Sequence, residues 1–154
     1  MNLNPKLLIY NKDDISILSK VAEPIANPSD RLEELNELAL EMGKIMFNSK
    51  GIGLAAPQVG IGLQLFTMNF GHGLIALANP AIIKTVGEFT SREGCLSFPG
   101  LQAEIRRAKL IKLRAYDILE GRERTIKFRG LESACAQHEI DHLNGIVCIN
   151  VDPE

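Results

Sequence analysis

The residue types best suited to chemistry lie in one short run, Gln137-His138-Glu139-Ile140-Asp141-His142. Two of the chain's three histidines stand here at positions i and i+4, a spacing that puts both imidazoles on one face of an α-helix. A single metal ion can bind to both, and Glu139 beside them is suited to act as a general base. Burying two imidazoles is costly unless something pairs with them, so we favour a metal site over histidines that merely fill a core.

A catalytic metal site needs a third protein ligand and an open position. The candidates are Cys95, Cys135 or a carboxylate elsewhere in the chain. Cys135 lies three residues before His138 on the same predicted helix, and three ligands from one short helix would reach one metal only with strain. A ligand from another segment is therefore favoured. Cys95 lies in such a segment, Glu93-Gly94-Cys95-Leu96-Ser97, whose glycine permits a close approach of the backbone to a ligand.

The glycine-rich stretch Gly51–Gly60 is a third segment with chemical potential. It contains no Gly-Lys-Ser/Thr and does not open a β-α-β unit, so it is not a phosphate-binding loop. Its small residues allow the backbone to lie close to an extended substrate, and the amide of Gln58 is a donor suited to a developing oxyanion. Taken alone, the stretch is equally compatible with an ordinary connection after a helix.

Two helices are predicted to frame these segments. Residues 30–47 keep a 3.6-residue apolar period, with Asp30 and Glu33 as a capping box and Gly51 as a left-handed C-cap. The second helix runs from about Leu131 to Leu143 and ends at Asn144-Gly145, so it carries both histidines. Its stripe of Leu131, Cys135, His138 and His142 is predicted to be the buried face.

Strands are predicted between the helices. They are Gln64–Met68, Leu74–Ala78, Lys109–Tyr116 and Arg124–Phe128, with turns at Asn79-Pro80, Pro99-Gly100 and Glu120-Gly121. The order of helix, strands and helix lacks strict β-α-β alternation. We therefore predict an α+β fold with mainly antiparallel strands, in which residues 1–154 form a single domain.

Composition and charge exclude several functional classes. The 154 residues are 45% hydrophobic and 23% charged, which is typical of a globular protein. A net charge of −2 without a basic block predicts neither a nucleic-acid nor a membrane partner, and no apolar run approaches the ~20 residues of a membrane span. The three scattered cysteines and the absence of a signal-peptide pattern favour a reducing cytoplasm, with Cys148 as a small core residue.

Together, Gly51–Gly60, Glu93–Ser97 and Gln137–His142 resemble the three signature motifs of peptide deformylases, in order and in approximate spacing. The ordered triple is highly specific, and the likeness extends over essentially the whole chain. It implies antiparallel sheets packed around a central metal-binding helix, with a long N-terminal helix. It also implies metal-dependent hydrolysis of the formyl group from N-formyl-methionine at the N-terminus of newly made polypeptides, which releases formate.

The same resemblance implies a metal centre and its ligands. Cys95, His138 and His142 would hold one divalent ion, with water in the fourth position. The native ion would be Fe²⁺, and Zn²⁺, Ni²⁺ or Co²⁺ could replace it. Glu139 would act first as the general base and then as the general acid. Asp141 is expected to be a supporting or surface residue.

Other residues would hold the substrate. Gln58 and the backbone N–H of Leu96 would donate to the oxyanion, and Glu93 would pair with Arg107 to brace the cysteine loop. A methionine side chain needs a flexible apolar pocket. The residues expected to contact substrate or line that pocket are Gly53, Ile52, Leu131, Ala134 and Cys135.

Some positions depart from the family pattern. The sequence ends at Glu154, twelve residues after His142, where bacterial members usually continue into a C-terminal helix associated with ribosome docking. Docking by that route is therefore uncertain, and the short form resembles phage-encoded members. Gln102 stands where many bacterial members carry a basic residue, and Ser91 replaces a bulkier side chain beside the methionine pocket. We expect a monomer in the cytoplasm of a bacterial cell, or of a host cell if the protein is phage-encoded, acting on N-formyl-methionyl peptides and nascent chains.

Two rival functions are compatible with parts of this pattern. A catalytically silent protein that holds metal for stability would need neither Gln58 nor Glu139. A general metallopeptidase built on the His-Glu-x-x-His motif would not need the glycine-rich and cysteine segments.

Overall fold

A computed structural model of the protein describes residues 4–149. Along the chain a long helix is followed by strands and then by a second helix, which is the order that the sequence predicts. The helices are α1 (Leu32–Asn48) and α2 (Gly130–Leu143), and the strands are β1 (Gly53–Ala55), β2 (Leu65–Met68), β3 (Ile75–Val86), β4 (Phe89–Cys95), β5 (Phe98–Arg107), β6 (Leu110–Asp117) and β7 (Arg122–Arg129). Short 3-10 turns lie at Ser16–Ser19, Pro28–Arg31 and Ala56–Val59. The C-terminal residues up to Glu154, on which the expectation about ribosome docking depends, lie outside the described residues.

The strands form two antiparallel sheets. The larger sheet has the order β1-β2-β3-β6-β7, and β4 and β5 form a separate hairpin. Helix α2 contacts β1, β2, β6 and β7 of the larger sheet and β5 of the hairpin, so it lies between the two sheets. The predicted α+β class and the central position of this helix are confirmed. Neither helix within residues 4–149 is long and apolar enough to cross a bilayer.

Alternate residues of the larger sheet face two different helices, because successive side chains of a strand point to opposite faces. Leu65 and Ala76 pack with the buried face of α1, which contributes Leu35, Leu38, Ala39, Met42 and Met46. Phe66 and Leu77, one residue further on, pack with Cys135, Ala136 and Leu143 of α2. The sheet is thus a rigid support that holds α2 in place by hydrophobic burial on one face.

The predicted caps of α1 are wrong. Arg31 is the N-cap residue, and within residues 4–149 no side chain caps this end of the helix; Asp30 lies in the preceding 3-10 turn Pro28–Arg31. The left-handed residue after the helix is Lys50, with φ 59°, rather than Gly51. Gly51 packs against the cysteine segment instead: a Cβ there would lie 2.5 Å from a methyl carbon of Leu96, so the Leu96 side chain would have to move.

Two of the predicted turns are also wrong. Strand β3 continues through Asn79 and Pro80 as an irregularity in its register with β6, and the Asn79 side chain makes two 2.8 Å hydrogen bonds with the backbone of Ile25. Pro99-Gly100 lies inside β5, and the actual turn of this hairpin is Leu96-Ser97. The turn at Glu120-Gly121 and the end of α2 at Asn144-Gly145 are confirmed, and Gly145 has φ 73°.

Candidate active site

Helix α2 buries two imidazoles and a carboxylate. His138, Glu139 and His142 are 8%, 2% and 1% exposed. The spacing places His138 and His142 one turn apart, with their ring centroids separated by 5.0 Å. Leu131 was predicted on the same buried stripe, but it is 69% exposed, because α2 begins at the open rim of a cavity rather than inside the core. The histidine pair itself lies where the helix meets the hairpin.

The hairpin β4–β5 brings Cys95 to the two histidines. Its Sγ lies 3.4 Å from His142 Nε2, and the ligand atoms of Cys95, His138 and His142 all lie within 4.8 Å of one another. A tetrahedral ion with metal–sulfur and metal–nitrogen bonds of typical length separates those two atom types by about 3.6 Å. The three donors therefore have the chemistry and the spacing that a divalent transition-metal ion requires. Cys135 belongs to no such group among residues 4–149.

A second group of possible ligands shares His138. Glu93, His138 and Cys148 also have their ligand atoms within 4.8 Å of one another. However, Arg107 donates to both oxygens of Glu93, over 2.9 and 2.7 Å, so a cation there would meet an existing positive charge. Cys148 packs beside the cluster around Leu18 and Phe98, and its Sγ lies 3.6 Å from His138 Nδ1. We therefore favour the Cys95 group.

A buried ion-pair network orients His138. Glu93 Oε1 lies 2.9 Å from His138 Nδ1, and Arg107 bridges Glu93 to Asp141, whose Oδ2 accepts over 2.6 Å. Burial alone would raise the pKa of Glu93, but the hydrogen bonds with His138 and Arg107 lower it to about 2. Such partners fix the orientation of an imidazole ligand, so Nε2 of His138 is held towards Cys95 and His142. Asp141 supports this network from a partly exposed position on α2.

Replacing Arg107 by methionine is expected to weaken both the fold and the metal site. Removal of one partner leaves the buried Glu93 charge unpaired, which costs about 3–5 kcal/mol. Loss of a supporting partner should also lower metal affinity by roughly 10–100-fold. Urea unfolding and metal titration measure the two effects.

Arg106→Met is the matched control, because this neighbouring arginine of β5 makes an exposed ion pair with Glu88. Exposed pairs contribute only about 0–1 kcal/mol. Equal losses in the two variants would contradict the bracing role of Arg107.

Glu139 has a buried oxygen without a protein partner among residues 4–149. Its Oε1 has no hydrogen-bond partner within the described part of the chain, although the side chain is 2% exposed. Burial raises the pKa of Glu139 to about 7. A buried carboxylate oxygen without a partner is costly. Its position beside the histidines suits a group that receives a proton from a small molecule bound there.

The charges around the histidines favour a cation between them. Burial opposes a charge on His138, but Glu139 and Glu93 raise its pKa above the usual range. Burial and the neighbouring charge of His138 lower the pKa of His142 to about 3, so that ring is neutral. Two acidic side chains beside a thiol and two imidazoles form a site that suits a positively charged metal ion.

The 3-10 turn Ala56–Val59 positions the amide of Gln58. Its Oε1 accepts from the Ala55 N–H over 2.9 Å, which fixes the amide plane. Its Nε2 then points into the site, 3.2 Å from Ser97 Oγ and 3.4 Å from Cys95 Sγ. A buried donor with this fixed direction is suited to an oxyanion. Ser97, whose Oγ accepts a hydrogen bond from Gln58 Nε2, lies in the cysteine motif Glu93–Ser97. It is not among the site residues that the sequence predicts.

Gln58→Leu is expected to lower kcat by roughly 10²–10³, the usual effect of removing one oxyanion donor. Metal content should remain at the wild-type level, because the ligand atoms are untouched. Gln64→Leu is the control, since its amide bonds to the Ala22 carbonyl away from the site. An unchanged kcat for Gln58→Leu, measured at saturating substrate, would exclude the donor role.

A cavity of about 860 Å³ opens above these groups. Ile52 and Leu131 stand at its rim, 51% and 69% exposed, while the buried Ala134 and Cys135 lie deeper. It is also lined by the other candidate residues Gly53, Gln58, Cys95, Leu96, His138 and Glu139. A Cβ on Gly53 would lie 2.6 Å from Cys135 Sγ and 2.9 Å from Glu139 Oε2, so only glycine allows β1 to lie this close to α2.

The sequence and the fold are both similar to those of known proteins. The chain matches the family model of polypeptide deformylase over residues 5–153. The peptide deformylase of Carboxydothermus hydrogenoformans is 41% identical over 133 residues, which are 86% of this chain and 85% of that protein. The structure of peptide deformylase from Thermotoga maritima matches with a TM-score of 0.84 at 33% identity and covers 95% of both chains. That of PDF from the Vibrio parahaemolyticus bacteriophage VP16T, in complex with actinonin, matches with a TM-score of 0.81 at 34% identity, over 92% of this chain and 98% of that chain.

Proposed function

This chain belongs to the peptide deformylase family and is a hydrolase of that kind, and from this premise we propose its substrate and mechanism. It removes the formyl group from N-formyl-methionine at the N-terminus of newly made polypeptides, with the help of one divalent metal ion. The observation that carries the proposal is the position of the buried Glu139 carboxylate, beside the donor set of Cys95, His138 and His142 at the base of an open cavity. Residues 1–154 act as one catalytic domain and as a monomer.

The proposed metal ligands are Cys95 Sγ and the Nε2 atoms of His138 and His142. One thiolate and two imidazoles suit Fe²⁺ as well as Zn²⁺, Ni²⁺ or Co²⁺, and we propose Fe²⁺ as the native ion. When bound, a divalent ion at this position lowers the pKa of a coordinated water to about 7 and polarises the substrate carbonyl.

The chain's own residues move the proton and stabilise charge. Glu139 takes a proton from the attacking water and passes it to the methionine nitrogen as the formyl carbon–nitrogen bond breaks. The Nε2 of Gln58 and the N–H of Leu96 donate to the formyl oxygen as negative charge develops on it. The products are formate and a free N-terminal amine.

The shape of the cavity suits an extended peptide. Strand β1 lies at an edge of the larger sheet, so the backbone of Gly53 is available to a substrate chain that adds as a further strand. The β4–β5 hairpin forms the opposite wall of the cavity. The methionine side chain then enters the apolar pocket of Ile52, Leu131, Ala134 and Cys135.

The deciding experiment measures formate release from formyl-Met-Ala-Ser, with Met-Ala-Ser as the unformylated control and iron or zinc supplied. Formate should appear only from the formylated peptide, and peptide bonds should remain intact. Cleavage of Met-Ala-Ser would instead indicate a general metallopeptidase. Stoichiometric metal binding without turnover of either peptide would indicate a catalytically silent protein.

A further inference from the structure

Three lysines stand side by side across the larger sheet. Lys84 of β3 lies directly opposite Lys112 of β6, and Lys112 lies directly opposite Lys127 of β7. Residues directly opposite in antiparallel strands project from the same face, and neighbouring strands are about 4.8 Å apart. The three lysine side chains therefore project in one row across three strands.

Two arginines extend this row into a patch. Arg114 follows Lys112 by two residues along β6, and Arg129 follows Lys127 by two residues along β7, so both project from the same face. Lys112 is half-buried, and the other four are exposed. We call this set the basic face: Lys84, Lys112, Arg114, Lys127 and Arg129.

The basic face is on the side of the sheet away from the cavity. Ile111 and Leu113, which alternate with Lys112 and Arg114 along β6, are fully buried in the cluster that includes Ala136 of α2. Because successive residues of a strand point to opposite faces, the basic side chains project away from α2. A molecule bound to the basic face would leave the entrance of the cavity free.

No carboxylate neutralises the basic face within residues 4–149. None of its five cations takes part in an ion pair there, whereas nearby Arg106, Arg107 and Arg124 pair with Glu88, Glu93 and Asp117. Glu123 of β7 projects from the same face as Lys127, but it lies opposite Tyr116 rather than opposite a cation. The net charge of −2 predicts no nucleic-acid partner, but strand register, which the sequence does not reveal, concentrates unpaired positive charge on one surface.

Like charges directly opposite each other destabilise a sheet, and one acid at the position of Lys112 would turn two repulsive pairs into two attractive pairs. We propose that the basic face binds the phosphate backbone of RNA without sequence preference. Lysine and arginine side chains supply most of the free energy of such binding by neutralising phosphates. Repulsion between the three lysines destabilises the free protein, and neutralisation of their charges by phosphates offsets this repulsion in the complex.

The composition of the face favours RNA over a lipid surface. Membrane-surface binding relies on large apolar side chains inserted between lipids, in addition to positive charge. The sheet positions directly beside Arg114 are Ala81 and Thr125, which are too small or too polar to insert. Val86, which is 48% exposed, and the half-buried Leu110 lie on the same face beside Arg129, but a single exposed valine is not the stripe of leucine or aromatic side chains that inserts between lipids.

The binding test uses fluorescence anisotropy with a short, labelled RNA duplex and the full chain loaded with zinc. At low ionic strength, we expect a dissociation constant in the range of about 10⁻⁴–10⁻⁶ M. The logarithm of the association constant should fall with the logarithm of salt concentration, with a slope of roughly −2.7 to −4.5 for three to five neutralised phosphates. Absence of binding at low salt would overturn the proposal.

Lys112→Glu separates binding from stability. This variant should bind RNA at least about tenfold more weakly, with a salt slope reduced by about 1 or more. Its Tm should rise, because Lys84 and Lys127 each gain an opposite charge. Lys12→Glu, an exposed lysine in the N-terminal loop, changes the net charge equally and should leave RNA affinity unchanged. Equal losses in the two variants would overturn the proposal, since binding would then follow net charge alone.

Two further measurements keep the outcome unambiguous. If Lys112→Glu folds poorly, Lys84→Glu/Lys127→Glu provides the same test, with the central lysine retained between two acids. If vesicles of anionic phospholipid bind more tightly than RNA and lose binding in the same variant, the partner is a membrane surface and the proposal fails. Formate release from the tripeptide should be unchanged in all these variants. A protein that binds RNA as expected but releases no formate would contradict the proposed function only.

Discussion

Glu139→Gln is expected to retain the wild-type metal content and to lower kcat by roughly 10²–10⁴, the usual contribution of a positioned general acid–base group. The amide has the shape of the carboxylate but cannot accept the proton from water. Its surroundings should tolerate the change, because Oε1 of Glu139 has no partner that would be lost within residues 4–149. Formate release at saturating substrate, together with metal analysis of the same samples, measures both parts of the prediction.

Glu132→Gln provides the matched control for this prediction. It makes the same chemical change on the same helix, but Glu132 is partly exposed and does not line the cavity. Its kcat and metal content should equal those of the wild type. Near-wild-type formate release by Glu139→Gln would sink the role assigned to this carboxylate. A loss of metal in that variant would show that the carboxylate supports the metal centre instead.

Cys95→Ser is expected to lower metal affinity by more than the roughly 10–100-fold effect of losing a supporting partner, because it removes a ligand atom itself. Sulfur is also a softer ligand than a hydroxyl oxygen, so the remaining affinity should shift away from zinc and iron. Formate release should fall together with metal occupancy. Metal analysis after dialysis, followed by titration with defined ions, checks the expected loss.

Two further cysteine variants show which thiol is the ligand. Cys135→Ser should leave metal content unchanged, because Cys135 belongs to no group of closely spaced ligand atoms in residues 4–149. Cys148→Ser should do the same, although Cys148 belongs to the second group with Glu93 and His138. Loss of metal in Cys135→Ser, with metal retained in Cys95→Ser, would make Cys135 the third ligand. Loss of metal only in Cys148→Ser would show that the ion binds to the second group instead.

Local sequence signals predicted helix α2 well. The i, i+4 histidines and the Asn144-Gly145 stop are both properties of a few neighbouring residues, and the helix ends where they indicate. Strands β2, β6 and β7 were also predicted within about two residues at each end, which is the ordinary precision of such boundaries. Each of these elements has an apolar face against the core, so its pattern is visible in the sequence.

The β4–β5 hairpin was not predicted, although it carries Cys95. Much of it is exposed, and Glu93 and Arg107 are buried polar residues that break the expected pattern of alternation. Their burial is possible only because Arg107 pairs with Glu93 and Asp141, which come from two other elements. A pattern of single residues cannot reveal such compensation between segments.

The sequence by itself determined which residues can do chemistry here: a histidine pair with Glu139 between them, Cys95 in a glycine-containing segment and Gln58 in another. Only the tertiary structure decided that these atoms meet, that Gly53 must lack a side chain and that Asp141 joins Arg107 and Glu93 in one network. It alone also placed Lys84, Lys112 and Lys127 in one row. Residue type and spacing set the chemistry and the local periodicity, whereas strand order and register, which depend on contacts between distant segments, set the distances between side chains.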